Sequence, residues 1–79
     1  MTVGYLIGVD GGGSGTRALV QAIHSPATGV GAAGPSALQQ GIPQAWTNVL
    51  AAIRGAFEAA PLPVPAWDRC VLAAGLSGV

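Results

Sequence analysis

Gly8-Val9-Asp10-Gly11-Gly12-Gly13-Ser14-Gly15-Thr16-Arg17 is the most distinctive stretch of the sequence, because four of the five residues at 11–15 are glycine. A mostly apolar run at positions 3–9 leads up to Asp10 and the glycines, and a second apolar run follows the stretch from Ala18. A loop with so little side-chain bulk can turn several backbone N–H groups toward one point, which creates a binding site for an anion. Phosphate is the anion that we expect there.

Asp10 indicates which kind of phosphate compound we expect the loop to bind. A carboxylate about 4 Å from a phosphate oxygen costs roughly 4 kcal/mol at an effective dielectric near 20. A divalent cation between the two groups removes that repulsion. We therefore predict a site for a metal-complexed polyphosphate, in which Asp10 holds Mg²⁺ through its water shell and Ser14 and Thr16 donate hydroxyl hydrogen bonds.

Two other interpretations of this stretch stay open. The first is a tight β-hairpin whose glycines only satisfy positive φ angles, although an ordinary hairpin needs one or two glycines and makes no use of the acid. The second is a dinucleotide site, because residues 13–18 fit Gly-x-Gly-x-x-Ala and a helix could begin at Thr16. Such sites need an acidic residue about 20 positions on, and none occurs between Asp10 and Glu58.

Composition indicates part of a larger domain. The 79 residues are 51% hydrophobic and only 8% charged, against about 25% charged in typical soluble domains. A globule of this size needs more polar surface. We therefore expect residues 1–79 to be an incomplete N-terminal segment, with the rest of the domain and a second domain outside this chain.

Charge excludes several function classes. The net charge is zero, the three cationic residues are scattered arginines, and there is no lysine. This argues against a nucleic-acid partner, which needs clustered basic residues, and excludes a Walker A loop. No secretory leader or membrane span is apparent, and one cysteine cannot form an internal disulfide, so we expect a cytoplasmic location and no membrane partner.

The order of the predicted elements is β-β-β-α-β. Residues 3–9, 16–23 and 30–33 suit three strands in a meander, with the glycine-rich turn between the first two. A helix should begin at Pro43, bury a stripe that includes Trp46 and Phe57, and end at the prolines of 61–65. The apolar run 69–75 predicts a last strand, parallel to the first and covered on both faces. The fold class is therefore α/β.

The opening stretch resembles the first phosphate motif of the actin/sugar-kinase/Hsp70 superfamily. Its triple glycine is similar to the BadF/BadG/BcrA/BcrD-type ATPase family, which includes N-acetylglucosamine and glucosamine kinases. The resemblance continues through Gly34-Pro35-Ser36 and ends with Gly75-Leu76-Ser77-Gly78. It implies a ribonuclease-H-like fold, of which this chain would be the N-terminal part of an actin-like ATPase domain.

The resemblance also implies the ligands and the site. ATP and Mg²⁺ would be the cofactors, with Asp10 at the metal. The residues implied to bind the ATP phosphates are Gly11, Gly12, Gly13, Ser14, Gly15 and Thr16. In related sugar kinases a Gly-x-Ser-x-Asn loop approaches the sugar, which assigns Gly34, Ser36 and Leu38 to substrate binding. Leu38 replaces the family's Asn and removes a hydrogen-bonding group, so the sugar preference could differ.

The function that the resemblance implies is a transferase of carbohydrate metabolism, an ATP-dependent kinase that acts on glucosamine or N-acetylglucosamine. Its partner would be the small-molecule sugar, and a homodimer is left open. The general base is expected beyond Val79, so no catalytic residue lies in this segment and the segment alone should be inactive. Two alternatives remain: an ATP-hydrolysing activator of a reductase or dehydratase from the same family, and a non-catalytic binding piece.

Overall fold

A computed structural model describes residues 3–37, 39, 41–63 and 65–76. The described elements follow the predicted β-β-β-α-β order. They are β1 (Tyr5–Gly12), β2 (Gly15–Ala22), β3 (Thr28–Ala33), α1 (Ile42–Ala59), a short 3-10 helix (Trp67–Arg69) and β4 (Cys70–Leu76). The predicted last strand, residues 69–75, is observed at Cys70–Leu76. Positions 77 and 78 of the motif that begins at Gly75 lie outside the described residues.

The four strands form one mixed sheet in the order β3-β2-β1-β4. The pairs β1–β2 and β2–β3 are antiparallel, whereas β4 runs parallel to β1. A parallel partner needs a crossover connection, and α1 provides it between β3 and β4. Because residues 15–22 form a strand and not a helix, the dinucleotide interpretation, which needs a helix from Thr16, is wrong.

One face of the sheet packs against α1. The strands contribute Ile7, Val9, Ala18 and Val20 to the core on this face. The helix contributes Ala45, Val49, Ala52, Ile53, Ala56 and Phe57. Trp46 was predicted to be buried in the same stripe, but it is 47% exposed. The reason is that α1 lies mainly over β3 and β2, so Trp46 faces an open cavity that Ile7 and Leu72 also line.

Glycines on β3 allow the helix to approach the sheet closely. A Cβ added at Gly31 would overlap the carbonyl oxygen of Ala52, and one added at Gly29 would overlap that of Ala56. Gly29 and Gly31 alternate along the strand, so both face α1. This close approach fixes the position of α1 over β3.

The opposite face of the sheet is uncovered in the part of the chain that the structure describes. Leu19 and Val30 are each 50% exposed there. β4 was predicted to be covered on both faces, yet Val71 and Leu72 are 49% and 43% exposed. This prediction fails within the chain because α1 does not extend over β4.

Among the described residues, no helix combines the length and the apolar character that are needed to cross a membrane.

Candidate functional site

The glycine loop, residues 11–16, forms the tip of the β1–β2 hairpin. Gly12 pairs with Gly15, and Gly13 and Ser14 make the two-residue turn. Only Gly15 and Gly41 have positive φ among the described glycines. A demand for positive φ therefore does not explain Gly11, Gly12 or Gly13, although the stretch is a hairpin in its geometry.

An open cleft of about 590 Å³ lies at this tip. Its volume falls within the roughly 300–1,000 Å³ that small-molecule sites occupy. The predicted metal residue and all six predicted phosphate residues line it, together with three residues that the sequence did not single out. The lining residues are Asp10, Gly11, Gly12, Gly13, Ser14, Gly15, Thr16, Arg17, Ala32 and Ala33.

Asp10 and Arg17 flank the cleft from the open face of the sheet. They are directly opposite each other in the antiparallel register, and both are exposed. Residues that are paired in this way point to the same face, so a carboxylate and a guanidinium border the cleft together. Arg17 was missed by the sequence analysis. The signal for it was present, because a two-residue turn at Gly13 and Ser14 places Arg17 opposite Asp10.

The donor set at the cleft fits Mg²⁺ bound together with a phosphate. The described residues contain no cluster of three or more His, Cys, Asp or Glu side chains that could hold a metal by themselves. Mg²⁺ keeps much of its water shell and is usually held by one or two carboxylates plus substrate phosphates. One exposed carboxylate beside a glycine loop is therefore the kind of site that this ion uses.

Thr16 occupies a different environment from Asp10. Thr16 is only 1% exposed, and its hydroxyl donates a hydrogen bond of 2.7 Å to the carbonyl oxygen of Gly34. This hydrogen bond thus holds β2 and the segment at Gly34 together. Ser14, in contrast, is exposed at the turn, where its hydroxyl is accessible to a ligand.

Ser36 is buried beneath the glycine loop. Its backbone N–H donates to the carbonyl oxygen of Gly12 at 3.0 Å. Its side chain is fully buried, and its hydroxyl has no hydrogen-bond partner among the described residues. A Cβ added at Gly11 would overlap the Oγ of Ser36. Gly11 therefore lacks a side chain because Ser36 occupies that space.

The predicted sugar-binding residues are only partly described. Gly34 is exposed and Ser36 is buried, and both lie beside the glycine loop. Leu38 lies outside the described residues. The structure thus brings the predicted sugar loop next to the predicted phosphate loop, with the Ser36 hydroxyl directed at Gly11 and not at the solvent.

Asn48 connects this region to α1. Its side-chain amide nitrogen donates to the carbonyl oxygen of Pro35. A Cβ added at Gly34 would lie 3.4 Å from both Nδ2 and Oδ1 of Asn48, so the amide group packs against Gly34 as well. The segment 34–36 is thereby fixed to the helix on one side and to the glycine loop on the other.

The chain is similar to a solved structure over nearly its whole length. The match is to the crystal structure of a protein from Chromobacterium violaceum that is described as a "putative N-acetylglucosamine kinase". The two are 45% identical in sequence, the TM-score is 0.88, and the match covers 98% of this chain and 27% of that chain.

This chain thus spans about a quarter of the length of that protein, since the match covers 27% of it. No family model and no curated protein matches the sequence. The four-stranded mixed sheet with one helix matches an N-terminal fragment of an actin-like ATPase fold. The match confirms the resemblance seen in the opening motif, and it is consistent with a fragment of a BadF/BadG-type sugar kinase.

Proposed function

We propose that this chain is the N-terminal segment of an ATP-dependent sugar kinase that transfers the γ-phosphoryl group of ATP to an amino sugar of the glucosamine or N-acetylglucosamine type. The observation that carries this proposal is the cleft at the tip of the β1–β2 hairpin, which combines the glycine loop with Asp10 at its edge. The similarity to a protein described as an N-acetylglucosamine kinase supports the same activity.

In this proposal the glycine loop binds the phosphates of ATP. The backbone N–H groups of the loop and the exposed hydroxyl of Ser14 donate hydrogen bonds to phosphate oxygens. Asp10 holds Mg²⁺ through water, and Arg17 adds a positive charge to the wall of the cleft. Mg²⁺, when bound, would neutralise part of the negative charge on the phosphates during transfer.

Thr16 has a supporting role within the same loop. Because its hydroxyl proton is donated to Gly34, Thr16 contributes to phosphate binding by holding the loop in place. Catalysis of phosphoryl transfer depends mainly on positioning and on electrostatic stabilisation. A buried residue that fixes the loop can therefore affect the rate without contact with the nucleotide.

The sugar would approach from the segment that begins at Gly34. Gly34, Ser36 and Leu38 are the proposed substrate residues, and Leu38 stands where related sugar kinases have Asn. Replacement of Leu38 by Asn should shift the affinity among sugars and leave the affinity for ATP unchanged. The general base and the adenosine pocket are expected in the remainder of the full-length protein, so residues 1–79 alone should be inactive.

The test uses the full-length protein with Mg-ATP and a panel of hexoses, hexosamines and N-acetylhexosamines. We expect ADP and a phosphorylated hexosamine or N-acetylhexosamine as products. Binding of Mg-ATP with no turnover of any sugar would favour the ATPase-activator alternative. A protein that binds no nucleotide at all would favour the non-catalytic binding piece.

A further inference from the structure

We propose that Asn48, on α1, is a positioning residue for the glycine loop. Asn48 acts through the segment 34–36, which it holds against the underside of the loop. This inference rests on the proposed function, because it assigns Asn48 to the binding of nucleotide phosphates. Asn48 belongs to none of the motifs that the sequence analysis identified.

Three hydrogen bonds hold three consecutive residues of this segment, and their partners lie in three different elements. Thr16 of β2 donates to the carbonyl oxygen of Gly34. Asn48 of α1 donates to the carbonyl oxygen of Pro35. Ser36 donates its N–H to the carbonyl oxygen of Gly12 in β1. The segment therefore cannot shift without breaking contacts to the strands that carry the glycine loop.

The packing beneath Gly11 makes the loop sensitive to the position of this segment. The Oγ of Ser36 fills the space where a side chain of residue 11 would lie, and Ser36 is fully buried. Protein interiors are close-packed, so a displacement of Ser36 must be followed by its neighbours. Release of Pro35 from α1 should therefore loosen Ser36 first and the loop residues above it next.

Asn48 also stands out on its own helix. Asn is an unfavourable residue in a helix interior because its side chain competes for backbone hydrogen bonds. Among the described residues, the adjacent Thr47 bonds only within the helix, to the carbonyl oxygen of Pro43 at 2.9 Å. Asn48, in contrast, makes a bond that spans 13 positions of sequence. Thr47 is thus a matched control, with a polar side chain on the same turn that does not reach the 34–36 segment.

The experiment compares full-length wild type, Asn48→Leu, Asn48→Ala and the control Thr47→Val. Leu keeps a similar volume without hydrogen-bonding groups, and Ala favours the helix, so at least one variant should fold. Two quantities are measured: the dissociation constants of Mg-ATP and of adenosine, and the amide hydrogen exchange of peptides that cover residues 10–17 in the ligand-free protein.

For both Asn48 variants we expect about threefold to tenfold weaker binding of Mg-ATP, because the effect is limited to the free energy of one hydrogen bond. The dissociation constant of adenosine, which carries no phosphate, should not change. Exchange in residues 10–17 should become faster, because exchange reports local opening. Thr47→Val should change neither quantity. A general loss of stability would weaken the binding of both ligands alike.

Two results would overturn the inference: unchanged exchange in residues 10–17, or an equal loss of affinity for Mg-ATP and adenosine. A wild-type protein that binds no Mg-nucleotide would instead overturn the proposed function. In that case faster exchange at 10–17 in the Asn48 variants would still show that Asn48 holds the loop, and unchanged exchange would show that it does not.

Discussion

Two neighbouring residue pairs of the β1–β2 hairpin have opposite environments. Asp10 and Arg17 are opposite each other and exposed, on the face that α1 leaves open. One step along the ladder, Thr16 is 1% exposed and Gly11 lies against Ser36, on the face that α1 covers. Side chains alternate between the two faces of a sheet. A shift of one residue along the strand therefore leads from charged side chains that a ligand can reach to residues that hold the loop in place.

This difference shows that a single motif can serve two purposes. Ser14 and Thr16 are both hydroxyl residues of the same glycine-rich stretch, and the sequence assigned both to phosphate. In the structure Ser14 is exposed at the turn, whereas Thr16 donates its proton to Gly34. Changes on the open face should therefore affect nucleotide chemistry, and changes on the covered face should affect stability first.

The largest effect is expected on the open face, from Asp10→Asn in the full-length protein. Asn keeps the shape of the side chain but lacks the charge that orders the water shell of Mg²⁺. We expect kcat with Mg-ATP to fall by roughly 10²-fold or more, the scale seen when one preorganised electrostatic group is lost. Thermal stability should change little, because Asp10 is exposed. A variant with wild-type kcat would show that Asp10 takes no part in the reaction.

On the covered face, Gly11→Ala should destabilise the protein, because the added methyl group overlaps the Oγ of Ser36. Overpacking of this kind costs about 1–3 kcal/mol. The double variant Gly11→Ala, Ser36→Gly should recover most of that loss, since it removes the overlapping atoms. The check is the free energy of unfolding of both single variants and the double variant. If their effects simply add, Gly11 and Ser36 are not coupled.

Thr16→Val should have a smaller effect on the same face. Val has nearly the shape of Thr, but it leaves the carbonyl oxygen of Gly34 without its donor. A hydrogen bond of this kind contributes about 1 kcal/mol, and Gly34 is exposed enough for water to replace part of it. Denaturant unfolding measures the loss. Thr47→Val is the control on an exposed residue, where we expect a change within about 0.5 kcal/mol.

The smallest effect is expected at the turn, from Ser14→Ala. Ser14 is exposed, so its hydroxyl can be removed without loss of packing. Affinity for Mg-ATP should fall by about threefold to tenfold, as for one neutral hydrogen bond to a ligand, and the unfolding free energy should not change. A calorimetric titration of wild type and of Ser14→Ala with Mg-ATP measures the two dissociation constants. Equal affinities would mean that Ser14 only completes the turn.

The sequence predicted the elements, and the residues that line the cleft, more completely than it predicted how the side chains pack. Strand order and the parallel partner followed from the apolar runs and the chain connections, and the glycine stretch located the cleft. Sequence patterns could not reveal that Thr16 binds Gly34 or that Ser36 lies beneath Gly11, because these contacts depend on where the backbone of 34–36 passes. Trp46 and β4 were predicted to be covered because apolar patterns predict burial without specifying which element buries the residue.

The proposed nucleotide site depends most directly on Asp10 acting through a cation. The decisive measurement is the dissociation constant of ATP with excess Mg²⁺ and again in chelator, for the full-length wild type and for Asp10→Asn. We predict that wild type prefers Mg-ATP, whereas Asp10→Asn loses that preference and binds metal-free ATP at least as well as wild type, because one charge repulsion has been removed. An undiminished preference for Mg-ATP in the variant would contradict the account and leave Asp10 as a residue at the end of a strand.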